Sequence, residues 1–204
     1  MPVLTFKEDT HEYFADGKLV PGVNEIMESV GVQDFSRNGG DPEEYFPRGL
    51  IVHDCMKLLL TDGLDWDTVD PRIEGYVRAG EKFISDSGFK PICVEKPLYH
   101  PSWNYAGTGD AVGTVPDGRV ILPDWKTGAV TRSVKWQTAG YGELYDVNGI
   151  CKVTERYGLQ LKSNGKYKLV GPWVDYRDIQ EWYAFVTTYH EQKVRIKEGE
   201  CVWK

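Results

Sequence analysis

The strongest constraint on the fold lies between Lys90 and Trp125. Three β-rich runs follow one another there, Lys90–Tyr99, Tyr105–Val115 and Arg119–Trp125, and the last two are joined by the turn Pro116-Asp117-Gly118. A helix is predicted on each side of this meander. Before it, Asp70 can cap and Pro71 can open a helix in which Ile73, Tyr76, Val77, Gly80, Phe83 and Ile84 recur at intervals of three and four, ending at Gly88. After it, Ser133 can cap a helix that runs to about Asn148. The segments Tyr157–Lys162 and Lys166–Val170 flank Ser163-Asn164-Gly165, a strong hairpin signal, and an amphipathic helix over about Asp175–Lys197 follows. Helix, three strands, helix, strand predicts an α/β (α+β) fold, a central mixed sheet flanked by helices.

The N-terminal part is read in the same way. Apolar and polar residues alternate from Val3 to Val20 around turn signals, which predicts a small β-hairpin. A short helix over about Asn24–Val30 follows Pro21-Gly22. The polar stretch 31–49 contains two prolines and several glycines and reads as a loop, a candidate lid over a substrate. The run Leu50–Leu60 is too long for a typical strand and reads as a helix, with His53 at the edge of its apolar arc. No repeat or long linker interrupts the 204 residues, so the expectation is a single domain: 1–48 as hairpin, short helix and loop, 49–172 as core, and 173–204 as C-terminal helix.

Composition narrows the function. A chain of this length can bury roughly 70% of its unfolded surface, so no disulfide or metal is required to hold a core. No apolar window is long enough to span a membrane, the N-terminus lacks the pattern of a signal peptide, and the four cysteines show no CxxC spacing. A cytoplasmic protein with reduced thiols and no membrane partner is expected. The formal net charge of -7 argues against a protein that coats nucleic acid. The charge is uneven, however: residues 1–100 carry 10 Lys+Arg against 19 Asp+Glu, and residues 101–204 carry 14 against 12. A positive groove on an acidic body is therefore expected in the second half.

The unusual residue choices centre on ILPDWKTG. Asp124 and Lys126 are two apart on a strand and so face the same side of the sheet. Gly107-Thr108-Gly109-Asp110 places a second carboxylate in the preceding strand, with glycines that admit the close approach of a ligand or a backbone. If these strands are antiparallel neighbours, Asp110 and Asp124 converge. Two such carboxylates need a cation or a shared proton, and Mg²⁺ or Mn²⁺ suits hard oxygen ligands and phosphate oxygens. Lys126 would orient or deprotonate an attacking water, or neutralise charge building on phosphorus. An exposed Asp124–Lys126 ion pair with Asp110 in a turn also fits this spacing.

The ordered set comprises Gly49-x-x-x-His53, Glu95, Gly109-Asp110, Asp124-Trp125-Lys126-Thr127-Gly128 and Gln137-x-x-x-Tyr141. It resembles the PD-(D/E)xK nucleases of the RecB-like branch, over residues 48 to 170. That branch includes the mitochondrial genome maintenance exonuclease, CRISPR-associated exonucleases and small phage exonucleases. The resemblance implies a restriction-endonuclease-like core in which Asp110, Asp124 and His53 hold one or two Mg²⁺ or Mn²⁺ ions. It makes Lys126 the catalytic lysine and places Glu95 near the site, holding water, metal or Lys126. Gln137 and Tyr141 would touch the substrate backbone or position the lysine. Thr127, Arg132, Lys135 and Arg48 are further candidates for contact with nucleic acid. The cysteine pattern of the iron–sulfur members is lacking, as is a phosphate loop for ATP. Trp103, Tyr105, Trp125 and Trp136 are candidate base-stacking surfaces, and all four also fit a sheet core.

The implied activity is that of a metal-dependent deoxyribonuclease, an exonuclease acting on DNA ends in recombination, repair or phage genome processing. DNA, single- or double-stranded, is the expected partner, with a recombination or single-strand-binding protein as a second. Polarity and oligomeric state are left open. One alternative keeps the fold as a DNA-end binding or recombination partner without turnover. Another is a metal-free glycoside hydrolase with paired carboxylates, in which Lys126 has no evident role.

Overall fold

The computed structural model describes residues 2–33 and 42–197. Its centre is a five-stranded mixed sheet built from β4 (Lys90–Val94), β7 (Ala111–Thr114), β8 (Val120–Lys126), β9 (Glu155–Leu161) and β10 (Tyr167–Trp173), in the order β10-β9-β8-β7-β4. Only β8 and β9 run parallel, and the other neighbours are antiparallel. The parallel pair requires a crossover, and α4 (Val134–Val147) supplies it.

Both faces of this sheet are covered. On one side α2 (Pro42–Leu60) and α3 (Pro71–Ser87) pack on Ile121, Trp125, Leu159 and Leu161. On the other, α1 (Val23–Ser29), α4 and α5 (Tyr176–Lys197) pack on Val112 and Leu122. The α3 boundaries are those the sequence predicts: Asp70 accepts from Arg72 N at 2.8 Å, Pro71 opens the helix, and Gly88 closes it at φ 63°. No helix among the described residues is long and apolar enough to cross a membrane.

Three elements differ from expectation. The N-terminal hairpin has a third strand, giving an antiparallel sheet of β1 (Leu4–Lys7), β2 (Glu12–Ala15) and β3 (Lys18–Val20). The first two strands of the meander are each broken in two, at Glu95-Lys96 and at Gly109-Asp110. Their outer halves, β5 (Pro97–His100) and β6 (Tyr105–Thr108), peel away as a separate two-stranded ribbon. That ribbon meets the N-terminal segment where Ala106 N donates to the Pro21 carbonyl at 2.9 Å. Finally, α2 begins eight residues before Leu50, so residues 42–49 of the expected loop are helical. Pro42 suits a first turn, and Pro47 forgoes one backbone hydrogen bond inside the helix. Residues 34–41 of the expected lid lie outside the described residues.

Candidate functional site

The breaks in the strands bring the candidate residues together. Asp110 sits at the break before β7, beside the end of β8, where its Oδ2 accepts from Trp125 N at 2.7 Å. Its Oδ1 lies 3.1 Å from His53 Nδ1, and the other imidazole nitrogen lies 3.2 Å from the Trp125 carbonyl. His53 is thus clamped between the Asp110 carboxylate and the Trp125 carbonyl. One helical turn earlier, Gly49 faces Thr127, where a methyl group would meet only ordinary van der Waals contact. Asp124, with a side chain only 3% exposed, forms an ion pair through Oδ2 with Lys126. That oxygen accepts no well-aligned hydrogen bond, because the ammonium touches it off-axis.

The ammonium of Lys126 also donates to Gln137 Oε1 at 3.2 Å. Since an ammonium only donates, this contact fixes the amide orientation. Gln137 Nε2 is left to donate to Asn24 Oδ1 at 2.8 Å and to Tyr141 Oη at 3.5 Å. A line of polar contacts therefore runs from α1 through α4 to the end of β8. Gln137 and Tyr141 are both about 5% exposed, which places them behind the lysine and away from the surface.

Burial and neighbouring charge act in opposite directions on each group. Burial pushes the Asp124 carboxyl up to about 6, with Lys126 offsetting only part of the effect. Burial also acts to raise Asp110, but His53, Lys126 and the Trp125 N–H together hold it below the usual carboxylate range. For Lys126, burial favours the neutral amine, and Asp124 and Asp110 more than reverse that. For His53, burial is outweighed by Asp110, so the imidazole stays above its ordinary value. At neutral pH the cluster thus holds two carboxylates against one ammonium and a readily protonated imidazole. Among the described residues, no three His, Cys, Asp or Glu side chains stand preassembled around one point. As it stands, the cation paired with Asp124 is Lys126.

Glu95 is placed differently. It occupies the break between β4 and β5 at φ 42°, a conformation that costs a non-glycine residue about 1–3 kcal/mol. Its N–H donates to the Asp110 carbonyl at 3.0 Å, whereas its side chain pairs with Lys57 of α2 at 3.2 Å. Burial raises its carboxyl, and Lys57 offsets part of this. The strained corner holds the Asp110 backbone, and Lys57, not Lys126, takes the Glu95 charge. Lys57 lies one turn after His53, a helical spacing that could have flagged it. The contact from Asn24 to Gln137 spans 113 residues and left no local signal.

The remaining candidates divide by position. Arg132 is exposed in the turn just before α4, with its guanidinium 5.5 Å from the centre of the Trp136 ring. Lys135 is held at 2.8 Å by Asp178 and at 2.9 Å by Glu181, both of α5. Arg48 stands 5.3 Å from the Tyr76 ring on α3. Trp125 and Tyr105 are core residues: Trp125 packs on Phe83, and Tyr105 donates to the Gly140 carbonyl at 3.0 Å. Trp103 stacks on Tyr183, with ring centres 4.3 Å apart. The glycines before Asp110 also serve packing. A Cβ on Gly107 would lie 2.9 Å from Tyr141 and Val23, and one on Gly109 would lie 2.8 Å from Tyr145 Oη. They admit helix α4, which occupies the space the sequence offered to a ligand.

No family model and no curated protein matches the chain. Among solved structures, it is similar to one described as a "Putative exonuclease" from Eubacterium rectale, with a TM-score of 0.48 and 10% identity, over 91% of this chain and 77% of the other. The functional reading therefore rests on the side chains themselves.

Proposed function

We propose that the protein is a divalent-metal-dependent deoxyribonuclease of the RecB-like type that hydrolyses phosphodiester bonds. In this reading it is an exonuclease acting on DNA ends in recombination, repair or phage genome processing. The observation that carries the proposal is the placement of two contact pairs, Asp110 with His53 and Asp124 with Lys126, at one end of the sheet, where the Trp125 N–H next to Asp124 donates to Asp110 at 2.7 Å.

The donor set suits a divalent ion. Asp124 Oδ2 is buried without a hydrogen bond, Asp110 is kept ionised, and an imidazole stands beside it. These groups would hold Mg²⁺ or Mn²⁺, and His53 would exchange one of its present hydrogen bonds to take part. When bound, such an ion supplies the positive charge that polarises a phosphate and acidifies water.

The chain's own residues account for the remaining work. Gln137, fixed by Asn24, holds the Lys126 ammonium at the open end of the strand, where its charge opposes that building on the phosphorus. With a side chain 27% exposed, Lys126 can reach a bound phosphodiester while its stem stays packed. Trp125 N–H orients Asp110, and the Trp125 carbonyl orients His53, so one peptide segment sets both groups.

The test is incubation of the protein with end-labelled linear DNA and Mn²⁺ or Mg²⁺. Release of nucleotides by wild type, abolished by chelator and by Asp124→Ala or Lys126→Ala, is expected. No release by wild type, or undiminished release by either variant, would remove the proposal.

A further inference from the structure

The hairpin formed by β9 and β10 carries charge that the site does not use. From Arg156 to Val174 the chain contains no acidic residue, in a protein whose formal net charge is -7. Lys126 of β8 stands opposite Gln160 of β9, which in turn stands opposite Lys168 of β10. Residues paired across strands point to the same face, as do residues two apart along a strand. Gln160 and Lys168 therefore share the face of Asp124 and Lys126, and Lys162 and Lys166 continue it towards the turn.

The opposite face of the hairpin anchors it. Leu159 and Leu161 are buried in the core, and Tyr167 donates to Asp86 of α3 at 3.0 Å. The Ser163 carbonyl comes so close to Gly75 of α3 that no Cβ fits between them. The hairpin is thus seated on α3 by one face and open on the other. Lys162, Lys166 and Lys168 are exposed, and none has an ion-pair partner among the described residues. Two strand spacings, roughly 10 Å, separate the backbones of Lys126 and Lys168, about the axial rise of three nucleotides in a duplex strand.

We infer that Lys162, Lys166 and Lys168 form a phosphate track that carries a DNA strand past the candidate site. This rests on the nuclease reading above and adds to it the path of the substrate. Charge complementarity selects the occupant: three unpaired ammonium groups on one rigid face match a polyanionic backbone and carry no base-reading geometry. Binding along the track is therefore independent of sequence.

The inference is tested by fluorescence anisotropy of end-labelled DNA across a salt titration, with divalent ions chelated. In Lys162→Gln/Lys166→Gln/Lys168→Gln, the slope of log affinity against log salt should shrink by about 2 to 3, from a loss of about 0.7–0.9 per phosphate contact. Lys18→Gln, on the N-terminal sheet, should leave the slope unchanged. If the triple variant does not fold, Lys168→Gln alone should lower the slope by about 0.7–0.9. An unchanged slope in a folded triple variant, or an equal change in Lys18→Gln, would overturn the track. So would triple-variant loss of binding to phosphatidylserine vesicles with the DNA slope intact. Because the ions are chelated, a protein that binds along the track but never cleaves defeats the nuclease reading alone. One that cleaves with an unchanged slope defeats the track alone.

Discussion

Replacing Lys126 by Met removes the ammonium paired with Asp124 from a cluster that retains two carboxylates. Breaking a buried ion pair from one side costs about 3–5 kcal/mol. With the Lys126 side chain 27% exposed, the lower figure of about 3 kcal/mol applies. For a chain of this size that corresponds to a fall in Tm of roughly 6–12 °C. The loss should also depend on pH, in a direction fixed by Asp124. Burial already raises this carboxyl to about 6 in the presence of the ammonium, and without it the value climbs further. A carboxyl whose folded value lies above its unfolded one favours the folded state below the unfolded value, and that contribution is lost as pH rises towards the folded value. Below about pH 6 Asp124 is protonated in both proteins, so the wild-type lysine loses its nearest partner and the gap narrows. The assay is thermal unfolding at pH 5 and pH 8 in chelator. A large gap at pH 8 that shrinks at pH 5 is expected. A gap of equal size at both pH values, or a variant as stable as wild type at pH 8, would refute the charge balance drawn here.

Three further outcomes follow from particular contacts. Asn24→Leu removes the acceptor that fixes the Gln137 amide, so kcat should fall by about tenfold with KM little changed, a loss of about 1.4 kcal/mol within the range for a buried hydrogen bond, whereas Asn24→Asp keeps the acceptor and should recover most of the loss in steady-state kinetics. Asp178→Ala strands the buried Arg156 guanidinium, now 3.0 Å from Asp178, and should cost about 3–5 kcal/mol by urea unfolding. Gly107→Ala pushes a methyl group against Tyr141 and Val23 and should cost about 1–3 kcal/mol by the same measurement.

Much of the candidate site's geometry could be read from the sequence because strand parity is a hard rule. Two residues apart means one face, which put Asp124 beside Lys126, and antiparallel pairing of β7 and β8 brought Asp110 to them. The bounds of α3 were equally legible, because Asp70, Pro71 and Gly88 each act through local backbone geometry. Other features depend on distant contacts. The breaks that separate β5 and β6 from the main sheet fall partly at Glu95, and glutamate gives no hint of a positive φ. The role of Asn24 depends on α1 and α4 meeting across the body of the protein, and the glycines before Asp110 are explained by the tyrosines of a helix that follows much later in the chain. The second proline and the charges of residues 42–49 imitate a loop, whereas the chain continues there as helix.

Asp110 and Asp124 are proposed to share a divalent ion, and calorimetric titration of Mn²⁺ into the protein measures that directly. Saturable binding at neutral pH is expected, weakening below about pH 6 as Asp124 takes up a proton, and lost in both Asp110→Asn and Asp124→Asn. Binding that survives either substitution, or no heat from wild type with DNA present or absent, would contradict it.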